Sequence, residues 1–133
     1  MELEIKNTLK EQGFSATKSR MTILRALLAS QPVSLQTLIN SLTEVDRATV
    51  YRTVDLFTDL SITKKVYTGL KYRIELSDSF QAHHHHLTCL RCRKIIDFKT
   101  PEIERAVEKT IIDNGFRPVR HDIEIAGYCA NCT

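Results

Sequence analysis

The chain has 133 residues, of which 42% are hydrophobic, and it carries a formal net charge of +3 at pH 7. This composition excludes an intrinsically disordered chain and allows one ordinary core or two small ones. No apolar run approaches the roughly 20 residues that a bilayer span requires, and the first residues lack the basic and then apolar order of a signal peptide, so we expect a protein of the cytoplasm.

The first half of the chain predicts three helices in succession. Thr17 or Ser19 can cap the first, Ser34 precedes a short second one, and Asp46 caps the third, Arg47 to Leu60. Each helix has an apolar stripe at helical spacing. The stripes contain Ile23, Leu24, Leu27 and Leu28 in the first helix, Leu35, Leu38, Ile39 and Leu42 in the second, and Val50, Val54 and Phe57 in the third.

A β-hairpin is predicted directly after the third helix. Lys64 to Tyr67 form one strand, Thr68-Gly69 the turn, and Lys71 to Leu76 a second strand in which apolar and charged residues alternate. The order helix, helix, helix, hairpin is typical of a winged helix. In that element the last helix enters the major groove of DNA and the hairpin lies along the phosphate backbone.

The predicted DNA-facing surface combines one face of the third helix with cations of the hairpin. Up to Leu76 the chain has eleven Lys and Arg against eight Asp and Glu, whereas the remainder balances at eight against eight. A merely solvated face is the alternative, and Asp55 on the same face opposes DNA unless it accepts a hydrogen bond from cytosine or orients Arg52. The residues predicted to face DNA are Ala48, Thr49, Tyr51, Arg52, Lys64, Lys65, Lys71, Arg73 and, near the start of its helix, Arg20.

The second half of the chain reads as a small α+β unit. The polar and aperiodic residues 77–82 predict a hinge linker between a domain of residues 1–76 and a domain of residues 83–133. In the second domain we expect strand residues Ile95, Ile96 and Phe98, a helix from Pro101 to about Asn114, and a strand from Val119 to Ala126. Pairing with a second copy would complete so small a core.

All four cysteines of the chain occur in two CxxC pairs, Cys89 with Cys92 and Cys129 with Cys132. Thiolates bind zinc tetrahedrally at about 2.3 Å, and each CxxC turn can supply two of the four corners. Reduced structural cysteines are the alternative, because disulfides are rare in the cytoplasm. The two pairs together predict one structural zinc per chain.

Four consecutive histidines, His83 to His86, stand directly before the first CxxC pair. Alternate side chains of a strand share a face, so His84 and His86 would lie together. Neutral imidazole is a common ligand of divalent metals. A solvated tract or a purification tag is the alternative, although a tag is expected at a terminus. The run therefore predicts a second metal site beside the cysteines.

In this order the motifs resemble the ferric uptake regulator family of metal-dependent bacterial repressors. The resemblance rests on Ala48-Thr-Val-Tyr-Arg52, His84-x-His86-x-x-Cys89-x-x-Cys92 and Gly127-Tyr-Cys129-x-x-Cys132, and it extends from Arg20 to Cys132. It implies an N-terminal winged helix and a C-terminal α+β dimerisation domain. It also implies a homodimer, with no membrane partner, that binds operator DNA when a regulatory metal is bound.

The resemblance further implies roles for individual residues. The four cysteines fall on the ligands of the structural zinc. The family's regulatory site at the hinge falls on Glu75, His84, His86 and Asp97. A second site in the dimerisation domain falls on His83, His85, Glu104 and His121. The commonest branch implies Fe²⁺ as the regulatory ion, while mixed nitrogen and oxygen ligands also suit Mn²⁺ or Zn²⁺.

Several positions depart from the family's pattern. Gln31-Pro32 stands where many members have a histidine ligand, so Glu75 is the one hinge ligand expected from the first domain. His85 stands where an aspartate is usual, which shifts the second site toward zinc. Arg93 replaces a glycine that commonly follows the first CxxC, so the turn is expected to differ. Asp97, where iron sensors often have glutamate, keeps a peroxide sensor as an alternative.

Other functions remain as alternatives. A metallohydrolase would need a general base in a cleft, and the sequence has no nucleophile or base motif beyond the ligands. A zinc-stabilised DNA-binding module without metal sensing, or a manganese- or zinc-sensing member of the family, fits the same motifs. Because zinc uses all four cysteines, the zinc-sensing branch is less favoured. The sequence therefore predicts an iron-sensing transcriptional repressor and not an enzyme.

Overall fold

The computed structural model describes residues 1–30 and 32–133, which form two compact units, 1–82 and 83–133. Gln31, part of the position at which the sequence analysis notes a missing histidine ligand, lies outside the described residues. Within the described residues, every helix is too short or too polar to cross a membrane.

The first unit begins with four helices in its described part. They are α1 (Glu2–Glu11), α2 (Lys18–Leu28), α3 (Leu35–Ser41) and α4 (Arg47–Asp59). The three predicted helices are confirmed. Asp46 caps the third as expected, Thr17 rather than Ser19 caps the first, and Ser34 caps the second; each side chain accepts a hydrogen bond from the backbone N–H three residues later. The distance from N to Oδ1 is 2.7 Å at Asp46, whose pKa these hydrogen bonds lower.

Helix α1 was not predicted from the sequence. Its Ile5 and Leu9, one helical turn apart, are fully buried in the core of the first unit. An ion pair with 2.9 Å between Arg25 Nη2 and Glu2 Oε1 joins α1 to α2. Two apolar residues form a weak periodic signal, and their burial depends on the contact with α2 rather than on local sequence.

The core of the first unit is formed by the apolar stripes that the sequence predicts, together with α1. Phe57, Ile23 and Leu24 are fully buried, and Thr53 is an additional buried residue of α4. The outward positions of the same helix are exposed, as predicted. These are Ala48, Tyr51, Arg52 and Asp55.

The hairpin follows α4, with strand β1 (Thr63–Thr68) antiparallel to β2 (Lys71–Leu76). Gly69 in the turn has a φ of 72°, a conformation that glycine adopts without steric cost. Val33 adds a bridge to Ile74 on the other side of β2, with 2.7 Å between Ile74 N and Val33 O. Three helices followed by this hairpin give the winged helix that the sequence predicts.

The second unit contains β3 (His85–Cys89), β4 (Ile95–Phe98), α5 (Pro101–Asp113) and β5 (Glu124–Gly127). In the described part of the chain the strands form a sheet in the order β4-β3-β5. Strand β3 is antiparallel to β4 and parallel to β5. Together the two units confirm the predicted α+β class.

The last predicted strand is shorter than expected. The alternation of apolar residues predicts a strand from Val119 to Ala126, but pairing with β3 begins only at Glu124. Val119 is 98% exposed, and the ladder with β3 has its first residue pair at Glu124, with one backbone hydrogen bond from His86 N–H to Ile123 O just before it. Alternation indicates an extended chain, whereas a strand also needs a partner, so this prediction was wrong for the first five residues.

Candidate metal centres and nucleic-acid interface

The four cysteines converge in the second unit. Their sulfur atoms all lie within 4.8 Å of one another, and 3.8 Å separates Cys92 Sγ from Cys129 Sγ. A tetrahedral site with Zn–S distances of about 2.3 Å has sulfur atoms about 3.8 Å apart. The cluster therefore fits a structural zinc ion.

The sheet brings the two CxxC pairs together. In the parallel ladder of β3 and β5, Cys89 is opposite Gly127, so the chain leaves β5 beside the first pair. The backbone N–H of Leu90 donates to Gly127 O over 2.8 Å, and that of Cys89 donates to Lys94 O over 2.9 Å. These hydrogen bonds position the first CxxC turn beside the end of β5.

Hydrogen bonds shift the pKa values of two of the four thiols in opposite directions. Backbone N–H groups of Cys129 and Cys92 donate to Cys89 Sγ over 3.4 and 3.5 Å, and they lower the pKa of that thiol to about 6. Hydrogen bonding with Cys129, burial and the neighbouring sulfur atoms raise the pKa of Cys132 to about 12. One thiolate forms easily, but four together repel one another until a divalent ion neutralises them.

The turn of the first knuckle has the altered residue noted in the sequence. Arg93 has a φ of 66°, in the left-handed region that favours glycine, and its N–H donates to Cys89 O over 3.0 Å. The knuckle therefore keeps a backbone conformation suited to glycine although the residue is arginine.

The histidine run divides between two groups by alternation. His83 and His85 have their ring centroids 4.6 Å apart, and those of His84 and His86 are 4.8 Å apart. His85 and His86 lie on β3 and are almost wholly buried, with 0% and 3% of their surfaces exposed. Buried imidazoles with polar partners are suited to metal binding rather than to a solvated tract.

The first group lies against α5 and the segment before β5. His83, His85, Glu104 and His121 place four donor atoms within 4.8 Å of one another. The distance between His83 Nε2 and His121 Nε2 is 3.1 Å, and the carboxylate of Glu104 lies 2.7 Å from His85 Nε2 and 3.2 Å from His121 Nε2. Ligands at about 2.0–2.1 Å from a tetrahedral ion lie about 3.3–3.4 Å apart, so this group fits a single divalent ion.

Glu104 is held as a carboxylate by the histidines around it. Burial acts to raise the pKa of Glu104, but the hydrogen bond from His85 and the charges of the histidines outweigh it and lower the pKa. The backbone N–H of Ile123 donates to His85 Nδ1 over 3.2 Å, so the neutral ring carries its proton on Nε2, which donates to the carboxylate of Glu104. An ion bound at Nε2 would displace this proton. This backbone contact leaves no sequence signal, because any residue except proline at 123 provides the N–H.

The second group combines histidines of the other alternation with an acid of β4. Asp97 is opposite His86 in the antiparallel ladder. Its Oδ1 lies 3.8 Å from His86 Nε2, and its Oδ2 lies 3.9 Å from His84 Nε2. Glu75, the remaining predicted ligand, belongs to the first unit, where it lies on β2 and is 7% exposed.

The DNA-facing residues of α4 lie at its start and on its exposed face. The backbone N–H and the hydroxyl group of Thr49 both donate to the carboxylate of Asp46, the hydroxyl over 3.0 Å. Arg52 is exposed, with 3.3 Å between its Nη2 and Thr49 Oγ1, and Tyr51 is 42% exposed beside it. The helix thus presents an aromatic ring and a guanidinium group on one accessible face.

The predicted cations of the hairpin differ in their surroundings. Lys65 and Lys71 are exposed, and Lys65 Nζ lies 4.6 Å from the ring centroid of Tyr72. Lys64 differs, because its ammonium group faces Glu75 and Asp78, and only 16% of its side chain is exposed. A lysine held between carboxylates is a poor phosphate contact, so the structure does not favour that predicted role.

Arg73 and Arg20 are the two other cations predicted to contact DNA. Arg73 on β2 is half-buried. Arg20, near the start of α2, donates from Nη1 to Ser15 O over 2.7 Å and covers the ring of Phe14. Its guanidinium group is therefore held in place at the N-terminus of α2.

Comparison with known proteins identifies the family. The sequence profile described as the ferric uptake regulator family matches residues 11–126. The ferric uptake regulation protein of Escherichia coli strain K12 is 35% identical over 129 residues, covering 92% of this chain and 86% of that protein. The match thus includes both units.

Solved structures lead to the same family. The crystal structure of the Vibrio cholerae ferric uptake regulator matches with a TM-score of 0.80 and 31% identity, over 93% of this chain and 98% of that one. The ferric uptake regulator of Pseudomonas aeruginosa, solved with manganese, matches with a TM-score of 0.81 and 26% identity, over 95% and 98% of the two chains. The chain belongs to the ferric uptake regulator family and is a metal-responsive transcriptional regulator.

Proposed function

We propose that this regulator is an iron-responsive repressor of the bacterial cytoplasm, acting as a homodimer whose DNA-binding form is favoured by Fe²⁺. The regulatory ligands are Glu75, His84, His86 and Asp97. The observation that carries the proposal is the approach of Asp97 to both histidines, at 3.8 and 3.9 Å. An ion with ligands at about 2.1 Å holds donor atoms about 3.0–3.4 Å apart. A small rotation of the half-exposed Asp97 side chain would bring its carboxylate to this separation from the two histidines.

The distribution of these ligands along the chain provides the mechanism. Glu75 belongs to the first unit, and the other three ligands belong to the second. An ion that needs all four is bound in one arrangement of the units only. It shifts the population toward that arrangement by at most its difference in affinity for the two states.

We further propose that the group of His83, His85, Glu104 and His121 binds Zn²⁺. Three imidazole nitrogens and one carboxylate oxygen are a ligand set suited to zinc, and the separations of 2.7 to 3.7 Å support a compact site. Because Glu104 lies on α5 and His85 on β3, this ion would hold the helix against the sheet. Its role would be to stabilise the dimerisation unit and not to regulate DNA binding.

Operator binding follows from the winged helix. We propose that residues 48, 49, 51 and 52 of α4 enter the major groove, and that Lys65, Lys71, Arg73 and Arg20 contact phosphates. The exposed positions of Tyr51 and Arg52 support this assignment. Arg52 can bind the two acceptors of guanine, and Tyr51 can contact a thymine methyl group.

The proposal is tested by titrating Fe²⁺, Mn²⁺ and Zn²⁺ separately and without oxygen into protein that holds its cysteine-bound zinc. The affinity for a duplex selected from a random-sequence library is measured by fluorescence anisotropy at fixed salt. We expect at least a tenfold gain in affinity with Fe²⁺, within the range of roughly 5- to 150-fold that is typical of coupling between sites. Manganese is a necessary comparison, because the Pseudomonas aeruginosa relative was solved with it.

Two matched variants separate the metal sites. His86→Ala should keep the fold but lose the gain in DNA affinity on adding metal, whereas the control His121→Ala should keep that gain. If His86→Ala still responds to metal, the sensing site is instead the group of His83, His85, Glu104 and His121. Equal affinity with and without added metal would contradict sensing altogether, and release of DNA by peroxide only from the Fe²⁺ form would identify a peroxide sensor.

A further inference from the structure

A largely buried lysine lies between two carboxylates in the first unit. Lys64 on β1 is opposite Glu75 on β2, and its Nζ lies 3.5 Å from Glu75 Oε1. The same Nζ lies 2.9 Å from Asp78 Oδ1. The side chain of Lys64 is 16% exposed, that of Glu75 is 6% exposed and that of Asp78 is 31% exposed.

This position is unusual for a cation of the hairpin. Lysine is seldom buried to this extent unless it is paired, because taking an ammonium group out of water is costly. The neighbouring Lys65 and Lys71 are exposed, as expected of residues that contact phosphates. The chain therefore keeps one positive charge beside the acid that the proposed function assigns to the regulatory ion.

We propose that Lys64 sets the affinity of the regulatory site by competing with the metal for Glu75. Without metal, the ammonium group neutralises the carboxylate. When a divalent ion binds Glu75, Lys64 gives up this contact and keeps the one with Asp78. This inference rests on the proposed function, because it requires Glu75 to be a ligand of the ion.

The charges determine the direction of the effect. An ammonium group 3.5 Å from a carboxylate reduces the negative potential that attracts a divalent ion, and it repels the ion itself. The interaction is only weakly screened, because Lys64 and Glu75 are both largely buried.

The distances determine how the exchange occurs. Asp78 Oδ1 is closer to the ammonium group than Glu75 Oε1 is, so Lys64 can leave Glu75 without becoming an unpaired buried charge. Metal binding then replaces one of two ion pairs instead of removing both. The concentration of metal at which the regulator responds is set by this competition.

The test measures the dissociation constant of Mn²⁺, which is stable in air, by calorimetry on the full-length chain with its zinc bound. Lys64→Gln removes the competing charge and should bind Mn²⁺ about tenfold more tightly. Asp78→Asn leaves Glu75 as the one remaining carboxylate of the two that face Lys64, so this variant should bind Mn²⁺ several-fold more weakly. Lys65→Gln, a charge change of the same size on the exposed side of β1, should match the unmodified chain.

Further variants keep the test decisive. Lys64→Arg keeps the charge and should stay within about twofold of the unmodified chain. If thermal melting without metal shows that Lys64→Gln is not folded, Asp78→Asn still carries the test, because its predicted change in Mn²⁺ affinity has the opposite sign. Unchanged affinity in both Lys64→Gln and Asp78→Asn would overturn the inference.

Glu75→Gln separates this inference from the proposed function. If Glu75→Gln and His86→Ala weaken Mn²⁺ binding while Lys64→Gln has no effect, the regulatory site stands and the competition is refuted. If Glu75→Gln leaves the affinity unchanged, Glu75 is not a ligand, and both the ligand assignment and the role of Lys64 are refuted.

Discussion

Arg93 combines a left-handed backbone with a long side chain. At its φ of 66° the Cβ atom crowds the backbone, which costs an L-residue roughly 1–2 kcal/mol. Its N–H nevertheless closes the turn onto Cys89 O, so the zinc knuckle requires this conformation. The strain is therefore tolerated because the turn positions the cysteines.

Substitution at Arg93 should reveal this strain. Arg93→Gly removes the crowding but adds freedom to the unfolded chain, which offsets roughly 0.5–1 kcal/mol, so the melting temperature should stay level or rise slightly. Arg93→Val places a β-branched residue at positive φ and should lower it clearly. Thermal melting of the zinc-bound protein and the rate of zinc loss to a chelator measure both effects.

Lys94→Val serves as the control, because Lys94 is exposed and has an ordinary φ. It should melt close to the unmodified chain. Equal stability of Arg93→Val and Arg93→Gly would show that the knuckle can form without a left-handed residue, and the explanation would be wrong.

Helix α4 illustrates what local sequence determines at the scale of an element. Its cap at Asp46 and its periodic Val50, Val54 and Phe57 are local signals, so its start and both of its faces were predicted, and its end to within one residue. Helix α1 and the strand before Glu124 were not predicted correctly, because one depends on packing against α2 and the other on a pairing partner. Local patterns predict conformation, whereas burial and pairing depend on residues far away in sequence.

The metal sites show the same division. The spacing of the cysteines and the period of two along the histidine run predicted which side chains group together. The pairing of His85 with Glu104, 19 residues later, depends on how α5 lies on the sheet, and only the family resemblance indicated it. The alternation of β1 does not reveal that Lys64 is opposite Glu75 and that its ammonium group also contacts Asp78, beyond the end of β2.

The role of α4 is testable through Arg52. Arg52→Ala should weaken binding to the selected duplex roughly 10- to 100-fold and relax the base preference at one position of each half-site, the behaviour of an arginine that reads guanine. Anisotropy titrations against duplexes with single base changes, at several salt concentrations, measure both effects.

Lys10→Ala, a charge change of equal sign on α1, is the control and should bind as the unmodified chain does. Uniform weakening by Arg52→Ala across all duplexes, with the slope of the salt dependence reduced by about 1, would instead identify a phosphate contact.

The second unit leaves an apolar surface exposed, which matters at the scale of the whole molecule. Leu87 is paired with Ile96 on β4 and with Ile125 on β5, so the three side chains form a row across one face of the sheet. They are 37%, 41% and 49% exposed, and they line a groove of about 190 Å³. Every residue of α5 is likewise exposed or half-buried.

Such a surface is consistent with the proposed homodimer. The core of the second unit is incomplete within one chain, because every residue of α5 is at least partly exposed and the apolar row of the sheet is uncovered in the chain as described. A two-fold dimer would bury the same apolar row of both copies and would match the two-fold symmetry of an operator with two half-sites.

Ile125→Asp should therefore convert the dimer into a monomer at micromolar concentration. The charge enters the middle of the apolar row, but Ile125 is half exposed within its own chain, so the unit should still fold and bind one zinc through its cysteines. Sedimentation velocity gives the mass, and a zinc assay verifies the fold. Leu70→Asp, at the fully exposed tip of the hairpin, is the matched control and should remain dimeric. A dimer that survives Ile125→Asp, with zinc bound, would move the interface away from this sheet face, and loss of zinc together with dimer would show that Ile125 supports the fold instead.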